Sequence, residues 1–169
     1  MGKIEPVVIA DAGPVIHLDE LGCIDLLADF GRVIIPHAVW LEVQRHRPLA
    51  LAYTGDWLIC QSPSQTSPVV KALTPLYSLH IGEQEALHLC AELGDCLLLT
   101  DDTAARQAAK SLGIAIHGTL GVLIRAIRRQ SLTKSQVIAL LKEIPNRTTL
   151  HIRPALLNQV IADVEANAK

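Results

Sequence analysis

Short runs of β-branched residues or leucine recur along the chain, most of them followed by a longer stretch with apolar residues at helical spacing. Ile4 to Ala10, Val33 to Ile35, Trp57 to Cys60, Cys96 to Thr100 and Ile114 to Ile116 read as strands. Cys23 to Phe30, His37 to His46, Gly82 to Leu93 and Thr103 to Leu112 read as helices, the last two stopped by Gly94 and Gly113. Connections this long suit crossovers between parallel strands rather than tight hairpins. The pattern predicts an α/β layer sandwich with a mainly parallel central sheet.

The segment from Ser62 to Ser78 holds three prolines among many Ser and Thr and reads as a loop. Beyond residue 118 the pattern turns helical, over Thr119 to Arg129, Lys134 to Ile144 and Pro154 to Ala166, and Thr149 to Ile152 allows a short strand. No linker separates this part from the rest. A single domain over 1–169 is expected, with an α/β core at 1–118 and a helical C-terminal part at 119–169, long enough to bury a sizeable core. No apolar run approaches the roughly 18 to 20 residues of a bilayer span, and MGKIEPVVIAD has no secretory pattern. The expected location is the cytoplasm, with no membrane partner.

The four cysteines form no CxxC pair and the seven histidines no HxxxH or HExxH. Reduced, mostly buried thiols are expected, and a zinc site is not.

Ligands of open α/β sheets sit outside the carboxyl ends of the strands. Asp11 directly follows the first strand, and Asp101 and Asp102 follow the fourth. Glu42 lies within AVWLEV, and Glu83 and Glu85 lie within GEQEA. Gathered together, two to four carboxylates suit Mg²⁺ or Mn²⁺, hard ions that take oxygen ligands and keep several waters. Such an ion can activate water and stabilise charge on a phosphodiester. Each acid also has a purely structural reading. Asp11 precedes Ala12, Gly13 and Pro14 and suits a turn or a helix cap, and a mid-helix Glu42 is ordinarily solvated. Glu83 and Glu85 sit in a first turn where acids favour the helix dipole. Glu83 shares a face with Ala86, Leu87 and Cys90, which makes it the better inward-facing candidate. One of Asp101 and Asp102 is expected to cap the next helix, leaving the other as ligand, and Thr100 could bond a metal water or the substrate.

The net charge is only −2, but residues 1–85 carry 5 Lys/Arg against 10 Asp/Glu and residues 86–169 carry 10 against 7. That asymmetry suits an acidic centre beside a phosphate-contacting rim. Candidate phosphate contacts are Arg45, Arg47, Arg106 and Lys110, with Arg125, Arg128, Arg129 and Lys134 in the tail. Aromatics are few: Phe30, Trp40, Tyr53, Trp57 and Tyr77. Recognition of RNA would therefore lean on backbone charge and shape.

DAGPVI, a Glu in the helix after VIIP, GEQEA, and LLLTDD followed by AARQAA occur in an order and spacing that resembles the PIN domain, especially its bacterial and archaeal subgroup. GIAIHGTLGVL and HIRPALL extend the likeness from about Val7 to Val164. The resemblance implies a three-layer α/β/α fold with a parallel sheet of about five strands and Mg²⁺- or Mn²⁺-dependent ribonuclease activity. It also implies kinship with toxins of VapBC-type pairs, which are inhibited by a small antitoxin protein over the acidic site, and it favours a homodimer. Carried over by motif, Asp11, Glu42 and Glu83 are the first three acids. The fourth is Asp102 by the T-x-D pattern, or Asp101 by nearness to the strand. PIN domains commonly place Ser, Thr or Asn after the first Asp, where this chain has Ala12 and Gly13. A PIN-like module for RNA or protein binding without turnover is the alternative. A receiver-like or dehalogenase-like phosphotransfer domain fits poorly, because DxD is missing after the first strand and Cys60 to Ser62 offers no Asp.

Overall fold

Alternate residues of the apolar runs enter different cores. In the computed structural model, which describes residues 5–52 and 54–167, Val8, Ala10, Leu97 and Leu99 join one hydrophobic cluster, whereas Ile9, Cys96 and Leu98 join another. Successive strand side chains face opposite sides of a sheet. A strand covered on both faces must therefore be apolar at every position, and the fourth strand, CLLL, is buried throughout.

The strands are β1 (Val7–Ala10), β2 (Val33–Pro36), β3 (Leu58–Gln61), β4 (Cys96–Leu99) and β5 (Ala115–His117). They pair in parallel in the order β3-β2-β1-β4-β5. Ala10 lies opposite Leu99, and Leu99 opposite His117. From β1 the chain builds outward through β2 and β3, then returns to add β4 and β5 on the other side. The switch point lies between β1 and β4, and the crevice at their carboxyl ends is where such sheets bind ligands.

One face of the sheet carries α1 (Ala12–Glu20), a 3₁₀ helix (Ile24–Phe30), α2 (His37–His46) and, later in the chain, the C-terminal helices. The other face carries α3 (Pro68–Tyr77), α4 (Ile81–Leu93) and α5 (Thr103–Ser111), through Val70, Leu87, Leu89 and Ala108. The C-terminal helices are α6 (Thr119–Arg128), α7 (Lys134–Arg147) and α8 (Pro154–Ala166). Their Val122, Leu123, Leu141 and Ile144 share the cluster of Val8 and Ala10. The architecture is the expected α/β/α sandwich around a five-stranded parallel sheet.

Three local expectations are corrected. The proline-rich stretch read as a loop contains α3: Ser67 caps it through a bond from the Val70 N–H to its hydroxyl, and Pro68 occupies the first turn, where no N–H is needed. Ser78, at φ 52°, ends it in the left-handed region. The short strand allowed at Thr149 to Ile152 does not form, because the Thr149 N–H and hydroxyl both bond the Glu20 carboxylate. The helix expected over Cys23 to Phe30 is 3₁₀. Of the cysteines, Cys90 and Cys96 are buried, Cys23 is half-buried and Cys60 is exposed. Ile4 and Tyr53 lie outside the described residues. No helix among the described residues is long and apolar enough to cross a membrane.

Burial on both faces makes β4 the strand least tolerant of truncation. Leu98→Ala is expected to cost about 2–5 kcal/mol of unfolding free energy in urea titration. A loss below about 1 kcal/mol would contradict the two-sided packing.

Candidate active site

One residue, Asp11, separates β1 from α1. Its N–H extends the sheet ladder to the Leu99 carbonyl at 2.8 Å, and its Oδ1 accepts the Ala12 N–H at 2.9 Å as the cap of α1. The carboxyl group is thereby fixed in the crevice, with the residue only 6% exposed.

Thr100 directly follows β4, is fully buried, and its N–H donates to the His117 carbonyl at 2.9 Å. Its hydroxyl donates to Asp11 Oδ2 at 3.0 Å and accepts the Asp102 N–H at 3.2 Å. One side chain thus ties the ends of β1 and β4 together. The hydroxyl ties these two neighbours together, a structural role for a threonine at a strand end.

Asp101 and Asp102 then diverge. Asp102 caps α5, its Oδ1 accepting the Ala105 N–H at 2.8 Å, and it also lines the crevice with Asp11. Asp101 turns away. Its Oδ1 accepts the Thr119 N–H at 2.8 Å, and its Oδ2 accepts from the Thr119 hydroxyl at 2.5 Å and from His17 Nδ1 at 2.7 Å. The cap residue and the crevice-lining residue, expected to be different aspartates, are the same one.

Two glutamates come from helices on opposite faces. Glu83, in the first turn of α4, reaches back so that Oε2 accepts the His80 N–H at 2.7 Å. Glu85 accepts the Ala38 N–H at 2.8 Å and so fastens the start of α2, the helix that carries Glu42. Gly82 leaves the space between them: a β carbon there would lie 3.0 Å from Val39 Cγ2, 3.5 Å from Glu42 Oε2 and 3.9 Å from Asp11 Oδ1. Asp11, Glu42, Glu83 and Asp102 line one cavity of about 210 Å³, with His80 and Gly82 at its wall.

The electrostatics follow from this crowding. Burial pushes the Asp11 pKa up to about 7; bonds from Ala12 and Thr100 oppose the rise, and the charges of Glu83 and Glu42 add to it. Glu83 is raised by burial and by Asp102, against the bond from His80. Asp101 behaves oppositely: burial would raise it, but bonds from His17 and Thr119 outweigh burial and hold it below its ordinary value.

A family model described as a PIN domain matches residues 7–166, nearly the whole chain. The chain belongs to the PIN-domain family. No curated protein matches the sequence. PIN domains are nuclease-type folds, generally RNA-cleaving, that usually employ divalent metals.

Among the sequence-derived candidates of this PIN domain, the fold brings Asp11, Glu42, Glu83 and Asp102 to one cavity and leaves Asp101 outside it. Arg45, Arg47 and Lys110 do not line that cavity; Arg47 pairs with Asp19 at 2.6 Å, and Lys110 lies in the last turn of α5. Arg106 donates from Nη1 to the Thr100 carbonyl at 3.0 Å, beside the crevice. His80 and Gly82 were not singled out from sequence, although the H-x-x-E spacing of His80 and Glu83 is a legible cap signal. The contacts joining His17, Asp101 and Thr119 span 84 and 102 positions, and no local pattern announces them.

Asp11 keeps its proton to about pH 7 when folded and loses it near 3.8 when unfolded. Its burial therefore costs nothing below pH 3.8, costs progressively more as pH rises through that window, and costs about 4 kcal/mol above it. In chelator the protein is expected to melt lower at pH 8 than at pH 5, and Asp11→Asn to remove most of that difference. Equal pH profiles for the two proteins by calorimetry would refute the buried-acid account.

Proposed function

We propose that the four-acid cavity is the catalytic centre of a Mg²⁺- or Mn²⁺-dependent endoribonuclease, with Asp11, Glu42, Glu83 and Asp102 as the ion's protein ligands. The observation that carries this reading is the convergence of Asp11, Glu42, Glu83 and Asp102 on one cavity, with Asp11 almost fully buried: acids gathered this closely repel one another, and a cation among them would offset that repulsion. The donor set agrees, being carboxylate oxygens with His80 exposed at the rim. Space agrees as well, because the bare α carbon of Gly82 keeps the gap between Asp11 and Glu42 open. Among the described residues no three His, Cys, Asp or Glu side chains already stand in metal-binding geometry. Asp11, Glu42, Glu83 and Asp102 are the residues that would hold the ion.

In this reading Thr100 and the Ala12 N–H hold Asp11 in one rotamer, Glu83 is steadied by His80, and Asp102 by the start of α5. A cation held there would supply activation of water and neutralisation of charge on the phosphate. In hydrolysis the water oxygen would bond to phosphorus and release one proton to solvent, while the bond to one ribose oxygen would break and that oxygen would take a proton from solvent. Arg106, anchored beside the crevice, is placed to meet a substrate phosphate. The resemblance to VapBC-type toxins extends the proposal to a cytoplasmic homodimeric toxin silenced by a small antitoxin protein over the acid cavity.

A second reading, a PIN module that binds RNA or protein without turnover, draws on Ala12 and Gly13 following Asp11 and on acids not already drawn into metal geometry. Titration calorimetry separates the two, since absence of any Mn²⁺ binding would select the second.

Asp11→Asn and Asp102→Asn preserve the capping geometry, because Asn also caps helices. Each is expected to lower Mn²⁺-dependent RNA cleavage by about 10²- to 10³-fold, the scale of removing one group that stabilises transition-state charge, while the fold persists by circular dichroism. Undiminished cleavage by Asp11→Asn would sink the assignment. Expression of the wild-type chain alone in a bacterium is expected to arrest growth, and of Asp11→Asn to spare it; equal growth would remove the toxin proposal.

A further inference from the structure

A second cavity, of about 360 Å³, opens beside the acid centre where α5, the start of α6 and the segment leading into α8 meet. Its walls are of two kinds. Leu120, Leu150, Ile152 and Leu156 supply apolar surface, while Arg106, His117 and His151 supply polar edges. The volume falls within the range of roughly 300–1,000 Å³ usual for small-ligand sites.

Its wall carries Arg106 and one acid, Asp101. What burial His117 has, then the charges of Arg128, Arg106 and Arg125, all push its proton affinity down. Three arginines therefore lie near enough to act on one ring at the cavity. A neutral imidazole offers one donor and one acceptor. The acid on the wall, Asp101, has both oxygens bonded to Thr119 and His17. Gly118 is required here: a β carbon would strike Asp101 Oδ1 at 2.5 Å and crowd Arg106 Nη1 at 3.2 Å. Arg106 also links the two cavities, since it bonds the carbonyl of Thr100, the residue whose hydroxyl joins Asp11 to Asp102.

We infer that this cavity is a nucleotide subsite: one base of a bound RNA rests on Leu120, Leu150, Ile152 and Leu156 with its edge at His117 and His151, and Arg106 holds the adjoining phosphate. The inference rests on the ribonuclease reading and adds to it a source of base preference that lies outside the acid centre. With few aromatic side chains available, an apolar slot replaces a stacking platform, and the surrounding arginines favour a polyanion as occupant.

The test is fluorescence anisotropy on the full chain in EDTA, where cleavage does not interfere. The probes are labelled hexanucleotides of A, C, G or U and an abasic ribose-phosphate hexamer. At least one base-bearing oligomer is expected to bind about 10-fold tighter than the abasic one, as for a single discriminating contact. Leu156→Ala, at a position 47% exposed, combined with His117→Ala, is expected to abolish that preference and leave abasic binding unchanged, with the fold checked by circular dichroism. Arg106→Gln is expected to weaken base-bearing and abasic oligomers by the same factor. Equal affinity for all oligomers, no binding of any, or a preference that survives the double substitution would overturn the subsite. Mn²⁺-dependent cleavage by the same preparations reads the catalytic assignment separately. Cleavage without base-selective binding removes the subsite alone, and base-selective binding without cleavage removes the catalytic reading alone.

Discussion

The hydroxyl of Thr100 joins the two halves of this fold. It donates to Asp11 at the end of β1 and accepts from Asp102 at the start of α5, so a buried bridge spans the point where strand order reverses. Parallel pairing of β1 with β4 brings the two strand ends level, Ala10 opposite Leu99, and the next residue on each strand completes the bridge. Around it the helices start in fixed directions: Asp11 caps α1 and Asp102 caps α5. Glu42 and Glu83 are then delivered from α2 and α4, which Glu85 ties together.

Stability and function pull against each other at this point. A buried Asp11 facing Glu42 and Glu83 is costly when ionised, and the fold sustains that cost with two hydrogen bonds and deep cores on either side of the sheet. Asp101, next to Thr100 on the other side of the bridge, carries the opposite balance: with His17 and Thr119 bonded to it, ionisation is favoured. Two acids of similar burial thus separate into a strained carboxyl suited to meeting a cation and a satisfied one suited to holding α1 and α6 in place.

Much of the sheet and most helices were legible because the strands are mostly apolar in sequence and the helix ends carry ordinary signals, such as Gly94 after α4 and Gly113 just beyond α5. α3 was not legible, since Pro68 and Pro75 read as breakers unless one knows that Pro68 falls in a first turn and Val70 is buried. Thr149 failed as a strand residue for a similar reason: its partner is Glu20, 129 positions away. Asp11 and Glu83 stood out through strand-end and helix-start positions. The choice between Asp101 and Asp102 did not, because adjacent residues at a strand end point to opposite sides and local sequence carries no label for the side that faces the crevice.

By itself the sequence determined the class of fold, the order of its strands, most of its helices and the family, because periodicity and motif spacing are local properties that survive without coordinates; α1 and α3 were not read from it. The tertiary structure decided the rest: Asp102 rather than Asp101 beside Asp11, Thr100 as a tie between strands, and an apolar cavity with Arg106 at its edge. The first two depend on where segments about 90 positions apart are brought to meet, and the cavity on segments up to about 55 positions apart. Their meeting is set by the parallel register and by packing on two faces of the sheet, and neither is written in any single stretch of the chain.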